Sequence, residues 1–293
     1  MVVVLVATLV GLVVDRRVIT GAPAWLKPAK FAISLAIYVF TFLWLLTYVR
    51  NHPRLVRWAA IITAIAASAE MLILAAQVVR NRASHFNLAT PLDEFLWSRM
   101  RDFIIALFLM NLLVTILLIR QKLPNPVFAW GLRLGLALSL VGMLIGSLMT
   151  FPNPATQAAF DAGFGGTHSI GVPDGGPGLP IVGWSTEGGD VRAPHALGLH
   201  ALQLISLLAW LLGRPRFNVL ATGGRLALLW TISLGYLGLI LILTWQALRG
   251  QSIASPDSST LVALGTLGGA VAIAVAVIVM RARGQFSPST LGA

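Results

Sequence analysis

Long apolar runs, separated by short charged segments, make up most of the chain. A helix needs roughly 20 apolar residues to cross the hydrocarbon core of a bilayer. The runs predict eight membrane spans, at about 2–14, 29–49, 57–79, 102–119, 126–150, 197–212, 224–247 and 260–280. The pattern therefore predicts an all-α fold, a polytopic transmembrane helix bundle in which residues 1–293 form a single transmembrane domain.

The first run is the weakest of the eight. Residues 2–14 are short for a span, and apolar stretches of this length also occur in signal peptides. A signal peptide begins with basic residues, whereas here Asp15, Arg16 and Arg17 follow the run. We therefore predict a span. In the alternative, the first run does not cross, the N-terminus is outside, and the other seven spans keep their direction.

Composition agrees with a membrane protein. Only 11% of the residues are charged, whereas a soluble domain carries roughly a quarter. The net charge of +11 is of the size found in nucleic-acid-binding proteins. In a membrane protein, however, Lys and Arg gather in cytoplasmic loops, so we predict the lipid bilayer as partner and no nucleic acid. The chain has no cysteine, which excludes disulfides, thiolate zinc sites and iron–sulfur clusters.

The basic residues predict the direction of the spans. They concentrate in the even-numbered connections and the C-terminal tail, as Arg50, Arg54, Arg57, Arg120, Lys122, Arg214, Arg216, Arg225, Arg281 and Arg283. The positive-inside rule makes this side cytoplasmic, together with both termini. The first connection is the exception, because it places Arg16, Arg17, Lys27 and Lys30 on the outer side.

The fifth connection, residues 151–196, is long and contains ten glycines and six prolines. These residues favour repeated tight turns, as in the segment from Pro173 to Pro177. Apolar residues such as Trp184 and Ile170 are interleaved with the turns, which is unlike a uniform tether. We interpret the connection as an ordered extracytoplasmic cap over the helix ends; the alternative is a flexible tether.

Four of the five histidines fall on the predicted outer side: His85, His168, His195 and His200. Neutral imidazole is a good ligand for zinc, copper and iron, so one hypothesis is a transition-metal or haem site beneath the fifth connection. The alternative is that each histidine makes hydrogen bonds between loops and helix ends. No HExxH motif supports the metal. We predict that at least three of the imidazoles converge on one pocket.

Polar residues within the apolar runs suggest a second part of the site. Glu70 lies inside the third span, where a charged carboxylate costs a few kcal/mol. We predict that it contacts Arg133 or another polar group, and that Glu70→Gln is better tolerated than Glu70→Leu. The candidate polar site comprises Glu70, Gln77, Arg133, Asp174, Asp190 and Gln203.

Small residues four apart mark one face of the fifth span: Gly131, Gly135 and Ser139, then Gly142 and Gly146. Such a face allows close helix contact, either within the bundle or between two copies of the chain. The sequence favours packing within the bundle and leaves an oligomer contact as the alternative.

Three segments carry a resemblance. These are Gly21-Ala22-Pro23-Ala24-Trp25-Leu26-Lys27-Pro28, Ser84-His85-Phe86-Asn87 and the long stretch 168–203. With them, residues of about 20–250 resemble an uncharacterised family of bacterial multi-span integral membrane proteins. The resemblance implies a location in the bacterial cytoplasmic (inner) membrane. It implies no activity, cofactor or catalytic residue.

The sequence leaves three functions open. The first is a membrane enzyme, metal- or haem-dependent, that uses the outer histidines. The second is a transporter of a small solute or ion that uses Glu70 and its polar neighbours. The third is a non-catalytic membrane assembly factor.

Overall fold

The computed structural model describes residues 2–151, 156–217 and 219–284. These residues form nine α-helices and two short hairpins. The helices are α1 (Val2–Val14), α2 (Leu26–Leu46), α3 (Pro53–Val79), α4 (Pro91–Arg120), α5 (Pro126–Ser147), α6 (Thr156–Asp161), α7 (Arg192–Leu212), α8 (Thr222–Leu248) and α9 (Ser258–Gly284). The strands are β1 (Val18–Ile19), β2 (Ala22–Pro23), β3 (Ser169–Ile170) and β4 (Gly189–Asp190), paired antiparallel as β1–β2 and β3–β4. The predicted all-α bundle is confirmed.

Seven helices, α2 to α5 and α7 to α9, are long and apolar enough to cross a membrane. They correspond to seven of the eight predicted spans. The first predicted span is a helix of 13 residues, only about 20 Å long at 1.5 Å per residue. It is shorter than the hydrocarbon core of about 30 Å. It packs beside α2, where the Trp25 ring leaves no room for a side chain at Gly11.

Several helices begin earlier than the apolar runs predict. The fourth begins at Pro91 rather than near residue 102, because Thr90 caps it by accepting a hydrogen bond from the Asp93 amide at 3.2 Å. Proline is favoured in the first turn, where its missing N–H costs nothing. The charged residues of that segment remain in the helix, with Arg99 and Asp102 in an ion pair of 2.8 Å.

The small-residue face of α5 packs against α7. A Cβ atom at Gly142 would lie 2.4 Å from the Gly198 carbonyl carbon, and one at Gly131 would lie 2.1 Å from the Cβ of Ala209. The glycines therefore bring two helices into backbone contact inside the bundle, as the favoured sequence interpretation expected. Ser139 is buried and accepts a hydrogen bond from Asn111 of α4 at 3.3 Å. Within one chain this face is therefore covered by α7.

The odd-numbered connections meet at one end of the bundle. Gly21 of the first touches Gly175 of the fifth, where a Cβ would lie 2.1 Å from the Gly175 oxygen. The seventh connection reaches the fifth through a hydrogen bond of 2.8 Å from Ser252 to the Ser185 carbonyl. We call this end, formed by residues 15–25, 80–90, 162–191 and 249–257, the histidine end.

The even-numbered connections meet at the opposite end. The Arg50 amide donates to the Gln121 side chain at 3.1 Å, which joins the second connection to the fourth. We call this end, formed by residues 47–52, 121–125, 213–217 and 219–221, the arginine end. It contains none of the ten Asp and Glu residues of the chain.

Candidate functional site

Two of the four predicted histidines form a pair at the histidine end. The ring centroids of His85 and His168 are 6.4 Å apart. Aromatic side chains surround the His85 ring, with centroids 5.3 Å away for Phe31 and 5.6 Å away for Trp97. The hydroxyl of Ser84 lies 3.0 Å from its Nδ1. The third connection thus places one imidazole in an aromatic setting directly beside the fifth connection.

Asp174 fixes the other ring of the pair. Its Oδ2 lies 2.5 Å from the His168 Nδ1, and its oxygens accept backbone hydrogen bonds from His168 and Ser169 at 2.9–3.1 Å. The tight turn at Pro173 and Gly175, where φ is +92°, brings this carboxylate back onto the start of β3. The arrangement leaves the His168 Nε2 without a hydrogen bond among the described residues.

The electrostatics of the pair follow from burial. Loss of water lowers the pKa of His85 well below its usual value of 6.5, and the charge of Lys27 lowers it further. Burial and Lys27 also lower the pKa of His168, against the opposing effect of Asp174. Burial alone would raise the pKa of Asp174, but its hydrogen bonds with His168 and Ser169 outweigh that effect and hold it below its usual range. At neutral pH both rings are therefore neutral and the carboxyl is charged.

Lys27, at the first turn of α2, lies among these groups. Its charge acts on Glu70, His85, His168 and Asp174. Among the described residues its ammonium makes no hydrogen bond and no ion pair. A cation held in a cluster without a direct partner is available to a ligand.

Glu70 lies deeper in the bundle. Its side chain is fully buried, and neither carboxyl oxygen has a hydrogen-bond partner in the described part of the chain. Arg133 does not pair with it: that guanidinium donates to the carbonyls of Leu118 and Gln121 at 3.2 and 2.7 Å, at the arginine end. The predicted Glu70–Arg133 contact is therefore wrong. The long Arg133 side chain satisfies the last carbonyls of α4 instead of reaching into the apolar interior.

Two other residues of the predicted polar site hold the loops in place. Gln77 donates to Asp93 at 2.9 Å and also bonds Arg80, which joins the end of α3 to the start of α4. Asp190 accepts hydrogen bonds from Arg192 at 2.5–3.2 Å and from the Ser185 amide at 2.8 Å. Both positions are structural supports beside the site.

The remaining two histidines do not join the pair. His195 bonds the Gly142 carbonyl through Nδ1 at 2.7 Å, inside the α5–α7 contact. His200 lies further along α7 and is close enough to act electrostatically on His195. Gln203 donates to Thr41 of α2 at 3.2 Å. Within the described residues, no three His, Asp or Glu side chains form a group suited to hold a metal ion. The predicted convergence of three or more imidazoles on a metal or haem is therefore not supported.

Sequence reasoning missed the central cation of the site. Lys27 and Lys30 appeared only as exceptions to the positive-inside rule, and that exception was the available signal. Lys30 donates to the Val182 carbonyl at 2.8 Å and so holds the fifth connection over α2, whereas Lys27 has no partner in the part of the chain that the structure describes. The aromatic residues around His85 were also missed, because their contacts depend on the tertiary fold.

We call the group of Lys27, Glu70, His85, His168 and Asp174 the histidine–lysine site. It offers a free ammonium, two imidazole Nε2 atoms without hydrogen bonds among the described residues, and a buried carboxyl group. No protein-family model, curated protein or solved structure matches the chain. The interpretation of the site therefore depends on its own chemistry.

Proposed function

We propose that the protein is a multi-pass carrier of the bacterial inner membrane that binds a small anionic solute at the histidine–lysine site and couples its uptake to a proton on Glu70. The observation that carries the proposal is the Lys27 amine, unpaired among the described residues and within electrostatic reach of a fully buried carboxyl group that has no hydrogen bond there. Ionisable residues at such depth are costly and commonly mark ion or solute pathways. In this proposal the histidine end faces the outside of the cell.

Competition for one cation explains the coupling. A charged Glu70 attracts Lys27, so an incoming anion must compete with it. Protonation removes the negative charge of Glu70 and leaves the Lys27 ammonium to the solute. The proton and the anion therefore favour each other's binding, and the same coupling free energy applies in both directions. His85 and His168 supply further hydrogen-bonding atoms for the anion, and Asp174 holds the His168 ring in position.

The test uses purified protein in liposomes that contain a pH-sensitive dye, with succinate, glutamate and inorganic phosphate added singly outside at acidic pH. We expect at least one of these anions to accelerate proton entry in the wild type. In Glu70→Gln and Lys27→Met the rate should fall to that of protein-free liposomes. Glu187→Gln, which changes an exposed carboxyl on the fifth connection, is the matched control and should behave as wild type. Proton entry that none of the three anions accelerates would overturn the proposal.

A second candidate is a membrane enzyme that uses the His168–Asp174 pair for acid–base chemistry. The 2.5 Å contact between Asp174 and Nδ1 orients the ring and leaves Nε2 as the atom that would accept a proton. Ser185 is not a candidate nucleophile for this enzyme, because its hydroxyl accepts hydrogen bonds from the backbone amides of Glu187 and Gly188 at 3.3 and 3.0 Å.

The two candidates differ in which residue they require. An enzyme loses its activity in His168→Gln and tolerates Glu70→Gln, whereas a carrier loses proton coupling in Glu70→Gln. An absorption spectrum and a metal analysis of the purified protein complete the comparison. A Soret band or a stoichiometric metal would favour the enzyme. It would also show that the metal or haem is held by fewer His, Asp or Glu side chains than three, or by other atoms.

A further inference from the structure

Besides Glu70, several buried polar side chains without hydrogen-bond partners among the described residues lie inside the bundle, on four helices. Among residues 2–151, 156–217 and 219–284, the buried hydroxyls of Tyr38, Thr63 and Ser206 have no hydrogen-bond partner, and neither do the side-chain carbonyl oxygens of Asn111 and Gln203. Buried polar groups in folded proteins are almost always hydrogen-bonded, to protein or to ordered water. Several such atoms on α2, α3, α4 and α7 require a common explanation.

Four of these residues follow Glu70 at increasing depth. At 1.5 Å per residue, Glu70 lies about 14 Å along α3 from Val79, the helix end nearest the histidine end. By the same measure Gln203 and Ser206 lie about 17 and 21 Å along α7, Tyr38 about 18 Å along α2, and Thr63 about 24 Å along α3. The polar groups therefore lie at successive depths, which differ by a few ångströms along the bundle.

An apolar cluster adjoins these groups and extends toward the arginine end. It consists of the buried residues Phe42, Leu45, Leu46, Val49, Ala59, Val114, Leu118, Leu132, Leu136 and Leu202. Of these, Phe42, Leu45, Leu118, Leu132 and Leu202 have no accessible surface. Such packing offers no partner to water, so it can close a polar path without any charged group.

We propose that the unpartnered polar groups line a water-filled vestibule that opens at the histidine end, reaches Ser206 and Thr63, and is closed toward the arginine end by the apolar cluster. The proposal deepens the proposed function and rests on it, since the vestibule is the route by which protons and solute reach Glu70. Water in this space provides hydrogen bonds for atoms that the protein leaves unpaired, at a small entropic cost for each molecule.

The absence of cysteine from the chain makes a direct test simple, because each variant carries a single thiol. Ser206→Cys and Thr63→Cys replace small vestibule residues on two different helices. Leu45→Cys places a thiol in the apolar cluster, and Ser233→Cys replaces a buried, unpartnered hydroxyl on α8, which contributes none of the vestibule residues. A negatively charged methanethiosulfonate is added to the histidine end, in liposomes of known protein orientation.

We expect the thiols at 206 and 63 to react at least about tenfold faster than those at 45 and 233, because the reactive thiolate forms only where water reaches it. Each variant must first elute and melt as wild type does; the two vestibule positions serve as substitutes for each other if one variant fails to fold. Equal, slow reaction at all four positions would overturn the vestibule, and so would equally fast reaction at 45 or 233.

The labelling result is separate from the transport result. Fast reaction at 206 and 63, together with no anion-dependent proton entry, would support the vestibule and overturn the carrier. Anion-dependent proton entry without labelling would support the carrier and overturn the vestibule, because solute and protons would then reach Glu70 by another route.

Discussion

At the scale of single residues, Glu70 combines a cost in stability with a role in the proposed function. Its carboxyl oxygens are buried without hydrogen bonds, and the removal of such a group often leaves stability unchanged or raises it. The sequence-based expectation that Gln is better tolerated than Leu assumed a hydrogen-bonded side chain. The carboxyl oxygens make no such hydrogen bonds among the described residues, and this favours the opposite order.

We therefore predict that Glu70→Leu raises the free energy of unfolding by about 1–3 kcal/mol while it abolishes proton coupling. Part of the gain is offset because Lys27 loses an attractive charge nearby. Thermal unfolding in detergent provides the measurement. Glu187→Leu, at an exposed position, should stay within about 0.5 kcal/mol of wild type. A Glu70→Leu protein that is less stable than wild type would indicate a structural ion pair with Lys27 instead.

The histidine pair predicts a pH dependence. The pKa values of His85 and His168 lie below the unfolded value near 6.5, so below that pH the unfolded chain binds more protons than the folded one. Stability should therefore fall on acidification from pH 7.5 to 5.5. Asp174 is not expected to contribute there, since its lowered pKa matters only in stronger acid.

His85→Asn tests this expectation in unfolding experiments at pH 7.5 and 5.5. The loss of stability between the two values should be smaller in the variant than in the wild type. His52→Asn, at an exposed position of the arginine end, is the control and should leave the difference unchanged. An unchanged difference in His85→Asn would show that its ring is hydrated in the folded protein.

At the scale of elements, the apolar runs predicted which segments are helices better than where the helices begin. The predicted fourth span began near residue 102, because the charged residues Arg99 and Arg101 were taken as its boundary. The helix continues to Pro91, since a cap at Thr90 decides its start and Asp102 pairs with Arg99 one turn away. The histidine–lysine site was harder to predict, because it joins α2, α3 and two loops, and local patterns carry no information about which loops meet.

The α5–α7 contact provides an element-scale prediction. A Cβ atom at Gly142 would lie within 2.6 Å of three backbone atoms of α7, so the helices must move apart to accommodate Gly142→Ala. We expect a loss of about 1–3 kcal/mol in the free energy of unfolding. Gly265→Ala on α9 is the matched control, because no atom lies within 4 Å of a Cβ there. The control should be neutral or gain up to about 1 kcal/mol from better helix propensity. Equal effects of the two substitutions would show that α5 and α7 are not in backbone contact.

At the scale of the whole molecule, charge separates the two ends of the bundle. The ion pairs Asp15–Arg17, Asp190–Arg192 and Arg249–Asp257, and the hydrogen bond between His168 and Asp174, all lie at or next to the histidine end. The arginine end carries basic residues and no Asp or Glu. Two of the four basic residues of the first connection are neutralised or held by the fold: Arg17 pairs with Asp15 at 2.7 Å, and Lys30 donates to the Val182 carbonyl. The distribution of unpaired basic residues therefore agrees with the positive-inside rule better than the count of all Lys and Arg residues does.

This charge separation predicts the orientation of the bundle. Reporter fusions at Thr186, in the fifth connection, should be active only outside the cytoplasm, and fusions at Arg214, in the sixth, only inside it. The physical reason is that clustered Lys and Arg resist translocation, whereas Asp and Glu contribute little to orientation. The prediction does not depend on α1, whose 13 residues are too few to span the core, because the seven longer helices fix both loops. Fusions with the same sidedness at the two positions would contradict the arrangement, since α7 would then not cross. Reversed sidedness would place the histidine–lysine site in the cytoplasm, and the proposed carrier would then bind its solute on the inside.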